Sequence, residues 1–453
     1  MKRIWIGLCV LAIVAAGAGP AFAGGTVNKS NLSPEYMGSY TRNASTDHAD
    51  IVAYNPAGTV KLDDGLTINL GLQYLIEKDY TNKFDGQADA YGGTDYNSDE
   101  PSLIPGFYSV YKKGPWAGFF GVNVPVGGGK VKYPDGNFTT YEVGQKVRQQ
   151  VNWVASSGTS ITLPYDTFTH RIDAESFGVG YTLGAAYQIN DKVSASFGLR
   201  YIDAKSEFDG GATMISTVNP LAPDQDIPIE FEADATGWGG ILGLDFFPSE
   251  KMTIGLRYET KTELKYKYDV SQGDNILAAL NIVDGEKVRD DLPATLGGGV
   301  GYQFTDKLRG EANLTIYFNS DANIGGTTLR EGLEDHADAG WEFGIGATYA
   351  FTDTLKGSAG YLYTSIGVDP DWSSKFLPDL DSHALGIGLQ WTVRKNLDLT
   401  FALGNVFYVS DSYEDDSLTQ PNGPFPAPEA QPTKIKYEKN IPYLGFGIQY
   451  KFF

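Results

Sequence analysis

Large apolar residues fall on every second position through much of this chain, with glycine or polar residues between them. Phe177, Val179, Tyr181, Leu183, Ala185, Tyr187 and Ile189 share one face, against Gly178, Gly180, Thr182, Gly184 and Gln188. Trp341, Phe343, Ile345, Ala347, Tyr349 and Phe351 repeat the pattern, as do Leu385, Ile387, Leu389, Trp391 and Val393. The last segment closes on Leu444, Phe446, Ile448, Tyr450 and Phe452, alternating with Gly445, Gly447, Gln449 and Lys451. A period of two is that of a strand with one apolar face. A single strand of this kind also occurs in soluble sandwiches. Many in series, none apolar on both faces, predict an all-β protein: an antiparallel transmembrane barrel with its apolar face toward lipid and its polar face toward a lumen.

The pattern predicts fourteen strands, at about 66–76, 104–112, 116–125, 175–190, 192–208, 227–247, 251–270, 294–304, 307–318, 340–352, 354–366, 382–394, 396–410 and 433–453. Tight turns such as Lys113-Gly114-Pro115, Asn190-Asp191 and Thr352-Asp353 alternate with long segments at 77–103, 126–174, 209–226, 271–293, 319–339, 367–381 and 411–432. Short turns belong to the periplasmic side of such barrels and long loops to the outside, so the C-terminus is expected to be periplasmic. Residues 24–65 do not alternate. They form either a periplasmic extension or a plug inside the barrel. The apolar content from Ile51 to Ala57 favours the plug, because fourteen strands enclose a lumen too wide for wall side chains to fill.

Composition adds the compartment. Lys2 and Arg3 precede an apolar run from Ile4 to Ala18, and Ala21-Phe22-Ala23 has the form of a signal-peptidase site. The expected organisation is therefore a signal peptide at 1–23, an N-terminal segment at 24–65 and a barrel at 66–453. Cys9 lies within the signal, so the mature chain has no thiol for a disulfide or a metal. The net charge of −21 argues against nucleic acid as a partner. Mean hydropathy is −0.25, and no stretch after residue 23 reads as a membrane helix; a barrel hides its apolar surface in alternation.

Several segments resemble the FadL family of outer-membrane channels for hydrophobic compounds. Asp50 to Gly58, with Asn55-Pro56-Ala57-Gly58, is similar to the family's N-terminal hatch motif. Leu292-Pro293-Ala294-Thr295-Leu296, running on to Thr305-Asp306-Lys307-Leu308, resembles its eighth strand and turn. Leu377-Pro378-Asp379 before the strand at Leu385 resembles the segment ahead of its twelfth. The resemblance covers nearly the whole chain. It implies a monomeric fourteen-stranded barrel in the bacterial outer membrane, plugged by a hatch. It implies passive uptake of long-chain fatty acids or aromatic hydrocarbons, with no cofactor. Ligand would land among the outer loops, pass to a pocket against the hatch, and leave sideways through the wall near a kinked third strand. The partners expected are the ligand, outer-membrane lipids and the barrel assembly machinery.

Candidate residues follow from parity and spacing. Arg200, Arg257 and Arg309 alternate with the apolar faces of their strands and should point inward, each either to hold a ligand carboxylate or to brace the wall against Glu259 or Glu311. In the loop 271–293, Ile276, Leu277, Leu280 and Val283 fall at near-helical spacing, either as part of a landing groove or as packing on the rim. Trp153, Val154, Ile161, Leu163 and Phe168 supply further apolar loop surface. Asn55, Pro56, Ala57 and Gly58 read as a defined hatch turn, for gating or for orienting the first strand. Gly118 and Gly121, followed by Pro125, are where the third strand would kink. The run Gly127-Gly128-Gly129-Lys130 lacks the spacing of a phosphate loop and reads as loop. His48, His170, His336 and His383 are scattered and select neither a metal nor an enzyme. The competing readings are a porin for polar solutes and a barrel that acts through its loops as an adhesin.

Overall fold

The computed structural model describes residues 31–452, apart from 77–78, 86–95, 99, 138–139, 142–143, 145–147, 149–164, 220–222, 280–281, 324–336, 369–379 and 416–432. These residues form fourteen antiparallel strands closed into a barrel. Strand β1 runs through Gly65–Leu75 and Asp79–Asp85, β2 through Tyr96–Ser98 and Ser102–Lys113, and β3 through Trp116–Tyr133. Next come β4 (Thr167–Asn190), β5 (Val193–Ile215) and β6 (Gln225–Ser249). Strand β7 comprises Met252–Glu259 and Lys265–Gln272; β8 comprises Lys287–Arg289 and Thr295–Gln303. The wall continues with β9 (Leu308–Tyr317), β10 (Gly340–Ala350), β11 (Leu355–Ser365) and β12 (Ser382–Arg394). It ends with β13 (Leu397–Tyr408 and Asp411–Asp415) and β14 (Thr433–Phe452). Closure is between the two ends, from Leu66 opposite Phe452 to Leu75 opposite Tyr443. Residues 1–30, with the expected signal peptide, lie outside the described residues, as do His336, Leu377-Pro378-Asp379 and Phe453.

The chemistry of the two faces changes along the longest strands. At the tight-turn end of β5, Phe197 and Leu199 are exposed outward while Ser194, Ser196 and Arg200 are buried inward. Past Tyr201 the faces exchange: Ile202, Ala204 and Phe208 point in, and Asp203, Lys205, Glu207 and Asp209 point out. Strand β6 does the same, with Phe231 buried inside and Glu230 and Glu232 outside; β7 reaches the same result through a one-residue shift between Glu259 and Lys265, after which Tyr266 and Tyr268 are buried inside and Lys265 and Lys267 lie outside. The lipid-facing stretch is apolar outside; the stretch beyond it meets water outside and packs apolar side chains within. This corrects the expected loop boundaries. Strand β3 continues to Tyr133 and β4 begins at Thr167, so part of 126–174 is wall; β5 and β6 likewise extend into 209–226.

The N-terminal segment lies inside the barrel. It holds a one-turn helix α1 (Pro34–Met37) and two 3₁₀ turns, Ala49–Ala53 and Pro56–Lys61. Ser33 caps α1 by accepting from the Tyr36 amide at 3.1 Å. Within the segment Arg42 is buried against Asp50, its Nε donating to Oδ2 at 3.0 Å, and donates to Asp47 at 2.8 Å. Burial opposes the Arg42 charge, but the two carboxylates outweigh it and raise its pKa above the ordinary value. The segment is pinned to the wall all round. Asn69 on β1 donates to Glu35 at 2.9 Å, and Tyr108 on β2 donates to the Leu32 carbonyl at 2.7 Å. Ser194 on β5 donates to the Ala57 carbonyl at 2.9 Å. Glu311 on β9 accepts from the Ala44 amide and the Ser45 hydroxyl at 3.0 and 2.9 Å. Ser358 on β11 donates to the Gly38 carbonyl at 2.8 Å, and Gln449 on β14 accepts from the Ala49 amide at 2.8 Å.

Glycines on the inner wall make room for this backbone. A Cβ at Gly360 would stand 1.9 Å from the Ser39 carbonyl oxygen, and one at Gly386 would stand 2.0 Å from that of Met37. Lipid-facing Gly118, by contrast, has nothing within 4 Å of such an atom. Gly360→Val or Gly386→Val should therefore unseat the plug while the barrel still assembles, since neither position is needed for strand pairing. Ion conductance in planar bilayers should rise severalfold in both, and Gly118→Val should match the parent. Unchanged conductance in the two inner variants would mean that the plug does not depend on these contacts.

Candidate functional site

A cavity of about 50 Å³ lies where the plug meets β5, β7, β8 and β9. Leu32, Asn43, Ala53 and Tyr54 line it from the plug; Pro125 enters from β3 and Leu292 and Pro293 from the approach to β8. Its charged lining residues are Arg200, Arg257 and Glu259. The parity of β5 and β7 turns all three inward. Both guanidinium groups pair with the one carboxylate: Arg200 Nη2 with Oε1 and Arg257 Nη2 with Oε2. Side-chain exposure is 7% for Arg200, 13% for Arg257 and 6% for Glu259. The Nε of each arginine has no hydrogen-bond partner. A buried donor left unpaired costs about 1–3 kcal/mol, more when charged, so the pocket holds two cations, one anion and unused donors.

Arg309 is placed elsewhere. It donates to Glu311 at 3.0 Å and to the Ala44 carbonyl at 2.7 Å, and so ties the plug to β9 outside the cavity lining. The three inward arginines thus divide into a pair at the cavity and a single plug anchor.

Beyond the cavity the inward faces of β5, β6 and β7 form an apolar chamber that is filled by its own packed side chains. Phe208 stacks on Phe231 with centroids 5.2 Å apart, and Phe231 meets Tyr268 edge-on at 5.9 Å. The loop helix α2 (Asp274–Ala279) delivers Leu277 into this cluster, where it is buried beside Ile282. Leu280 and the side chain of Ile276 lie outside the described residues, as do Trp153, Val154, Ile161 and Leu163. Phe168 packs against the same cluster. Leu292 belongs to the chamber and also lines the cavity, so the apolar lining is continuous between them.

The wall irregularity lies just past the two glycines singled out in sequence. Gly118 pairs with Ala185 and Gly121 with Thr182 in an unbroken ladder. The β3–β4 register then shifts between Asn123 and Val126 and again between Val126 and Gly129. Gly127 and Gly129 adopt φ of 90° and 79°, which suits glycine at a bulge. The Gly127-Gly128-Gly129 run, expected to be loop, is therefore bulged wall. Pro125 stands within the bulge and lines the cavity. The sequence marked this proline as part of the expected kink and not as a cavity residue.

Asn55 starts the second 3₁₀ turn by accepting from the Ala57 amide at 3.3 Å. Its Nδ2 donates to Asp245 on β6 at 2.6 Å and to the Asn43 carbonyl at 3.2 Å. Pro56 fills the first position of the turn, where an amide N–H is not needed, and Ala57 and Gly58 are buried with it. The turn is thus a latch between plug and wall. Asp245 was missing from the sequence reading because it is far from Asn55 along the chain. Asn55→Ala should loosen the latch by about 1–3 kcal/mol and speed amide exchange over residues 49–61 by roughly ten- to a hundredfold. Parent-like exchange would show that the latch is not what holds the turn.

Residues 10–452 match the family model described as Outer membrane protein transport protein (OMPP1/FadL/TodX). No curated protein matches the chain. Among solved structures, the chain is similar to a Pseudomonas aeruginosa FadL homologue at 17% identity and a TM-score of 0.65, covering 95% of this chain and 100% of that one. It is similar to the Ralstonia pickettii toluene transporter TbuX at 17% identity and 0.58, covering 94% and 100%. The P. putida toluene transporter TodX matches at 14% identity and 0.57, covering 90% and 96%. The family match, the closed barrel and its lipid-facing apolar belt place the protein in the bacterial outer membrane, and the chain belongs to the OMPP1/FadL/TodX family of outer-membrane transport proteins.

Proposed function

We propose that this channel takes up hydrophobic molecules that end in a carboxylate, long-chain fatty acids being the class that fits best. The observation that carries this reading is the cavity's charge: two inward arginines against one glutamate in an otherwise neutral lining. An aliphatic tail suits the apolar chamber, and a carboxylate suits a guanidinium with unused donors. Residues 24–65 act as a hatch, 66–453 as the channel, and 1–23 as a removed signal. The ligand enters the chamber, moves to the cavity beneath Leu292, and leaves sideways at the Pro125–Gly129 bulge into the membrane lipid. No energy source is required, because the polysaccharide layer of the outer leaflet is the barrier and the ligand partitions favourably beyond it. The working unit is a monomer.

A second reading, uptake of neutral aromatic hydrocarbons, draws on the aromatic rings of the chamber and on the toluene transporters of similar fold. Uptake of labelled oleate and labelled toluene separates the two, measured in cells that lack their own fatty-acid channel. The carboxylate reading predicts oleate uptake that falls about tenfold in Arg200→Ala, roughly the loss of one charge-assisted hydrogen bond. Toluene uptake alone, or equal loss of both, would favour the neutral reading. The exit has its own test. Asn123 lies opposite Gly180 beside the bulge, so an Asn123→Cys, Gly180→Cys disulfide should stop oleate uptake reversibly. Uptake that persists in the oxidised double variant would rule out this exit.

A further inference from the structure

We infer that Glu259 is a resident carboxylate that holds the place of the ligand's own and so sets the channel's selectivity for acids over neutral molecules. The inference rests on the carboxylate reading above and concerns how that site discriminates.

Arg200 and Arg257 reach Glu259 from different strands, each taking a different oxygen. That is the arrangement a fatty-acid head group would adopt between the same two arginines. One carboxylate serves two guanidinium groups, and the site is one anion short of neutrality. A ligand carboxylate makes up the shortage: Glu259 keeps one arginine and yields the other. A neutral molecule brings no charge to exchange and leaves the triad closed. Glu259 is also placed to give way. It is the last residue of the first β7 segment, and up to Lys265 the ladder is reduced to the Thr260–Gly240 bond and the isolated Thr262–Leu292 bridge. Its side chain therefore has an irregular stretch rather than a continuing ladder on one side.

This role differs from that of a wall brace in what its removal does. A brace that is removed leaves two buried cations in repulsion and a weakened site. A competitor that is removed leaves the arginines free for the ligand. The double variant separates the two without adding net charge. Arg257→Gln alone leaves Arg200 neutralised by Glu259 and should bind oleate about tenfold more weakly, the loss of one charge-assisted hydrogen bond. Adding Glu259→Gln frees Arg200 and restores the parent's net charge at the site.

The experiment is binding of labelled oleate and of labelled oleyl alcohol to purified protein in detergent, with barrel integrity checked by heat-modifiable migration. The inference predicts that Arg257→Gln loses oleate, that Arg257→Gln/Glu259→Gln regains it, and that oleyl alcohol binds all forms alike. Loss in Arg257→Gln without recovery in the double variant overturns the role of Glu259 while leaving the carboxylate reading intact. No loss in Arg257→Gln and in Arg200→Gln overturns the carboxylate reading itself, and with it this inference.

Discussion

A strand has two faces, and in this protein the medium against each face changes along its length. That constraint organises the rest. Within the membrane the outside is lipid, so Phe197, Leu242 and Leu385 face out, and polar or small residues are left for the inside. Beyond it the outside is water, so Lys205 sits between Glu207 and Glu232 on the outer surface, and the apolar residues turn inward. In β5 and β6 the parity is kept through the change of medium; in β7 a one-residue shift between Glu259 and Lys265 turns the even positions inward, because such a shift reverses every side chain beyond it. The inversion, with the shift in β7, gathers a packed apolar cluster beyond a polar lumen. The boundary between the two is where the cavity lies, with an apolar mouth and a charged floor.

The hatch depends on the same geometry. A lumen lined by small and polar residues admits a folded backbone that a wall of larger side chains would exclude. Gly360 and Gly386 supply the space, and Asn69, Tyr108, Ser194, Glu311 and Gln449 supply hydrogen-bond partners around the circumference. No single one of these bonds is strong, since a net hydrogen bond is worth about 1 kcal/mol. Their distribution over most of the wall holds the plug from every side. The cavity lies at one side of this plug, next to the bulge, where wall and hatch are both irregular.

Much of this was legible in the sequence. Strand number and order follow from alternation, and the inward direction of Arg200, Arg257 and Glu259 follows from parity. Both rest on a period of two that survives whatever the loops do. Three things were not legible. The outermost wall, at 126–133, 167–174 and 209–215, was assigned to loops, although the strands at 192–208 and 251–270 were read past the point where the apolar residues turn inward. The Pro125–Gly129 bulge reads as loop because positive-φ glycines look alike in a turn and in a bulge. The separation of Arg309 from the other arginines needs the fold of the hatch, since only the Ala44 carbonyl and Glu311 tell it apart. The Asn55–Asp245 latch and the convergence of Pro125 and Tyr54 on one cavity join distant parts of the chain, and no local pattern encodes them.

The most direct measurement is a crystal structure of the channel with a long-chain carboxylate bound. The account predicts the head group against Arg200 or Arg257, within hydrogen-bond reach of a guanidinium, and the tail running past Leu292 toward Phe231. A head group at the loop end with the tail directed into the cavity, or a ligand held away from both arginines, would contradict it.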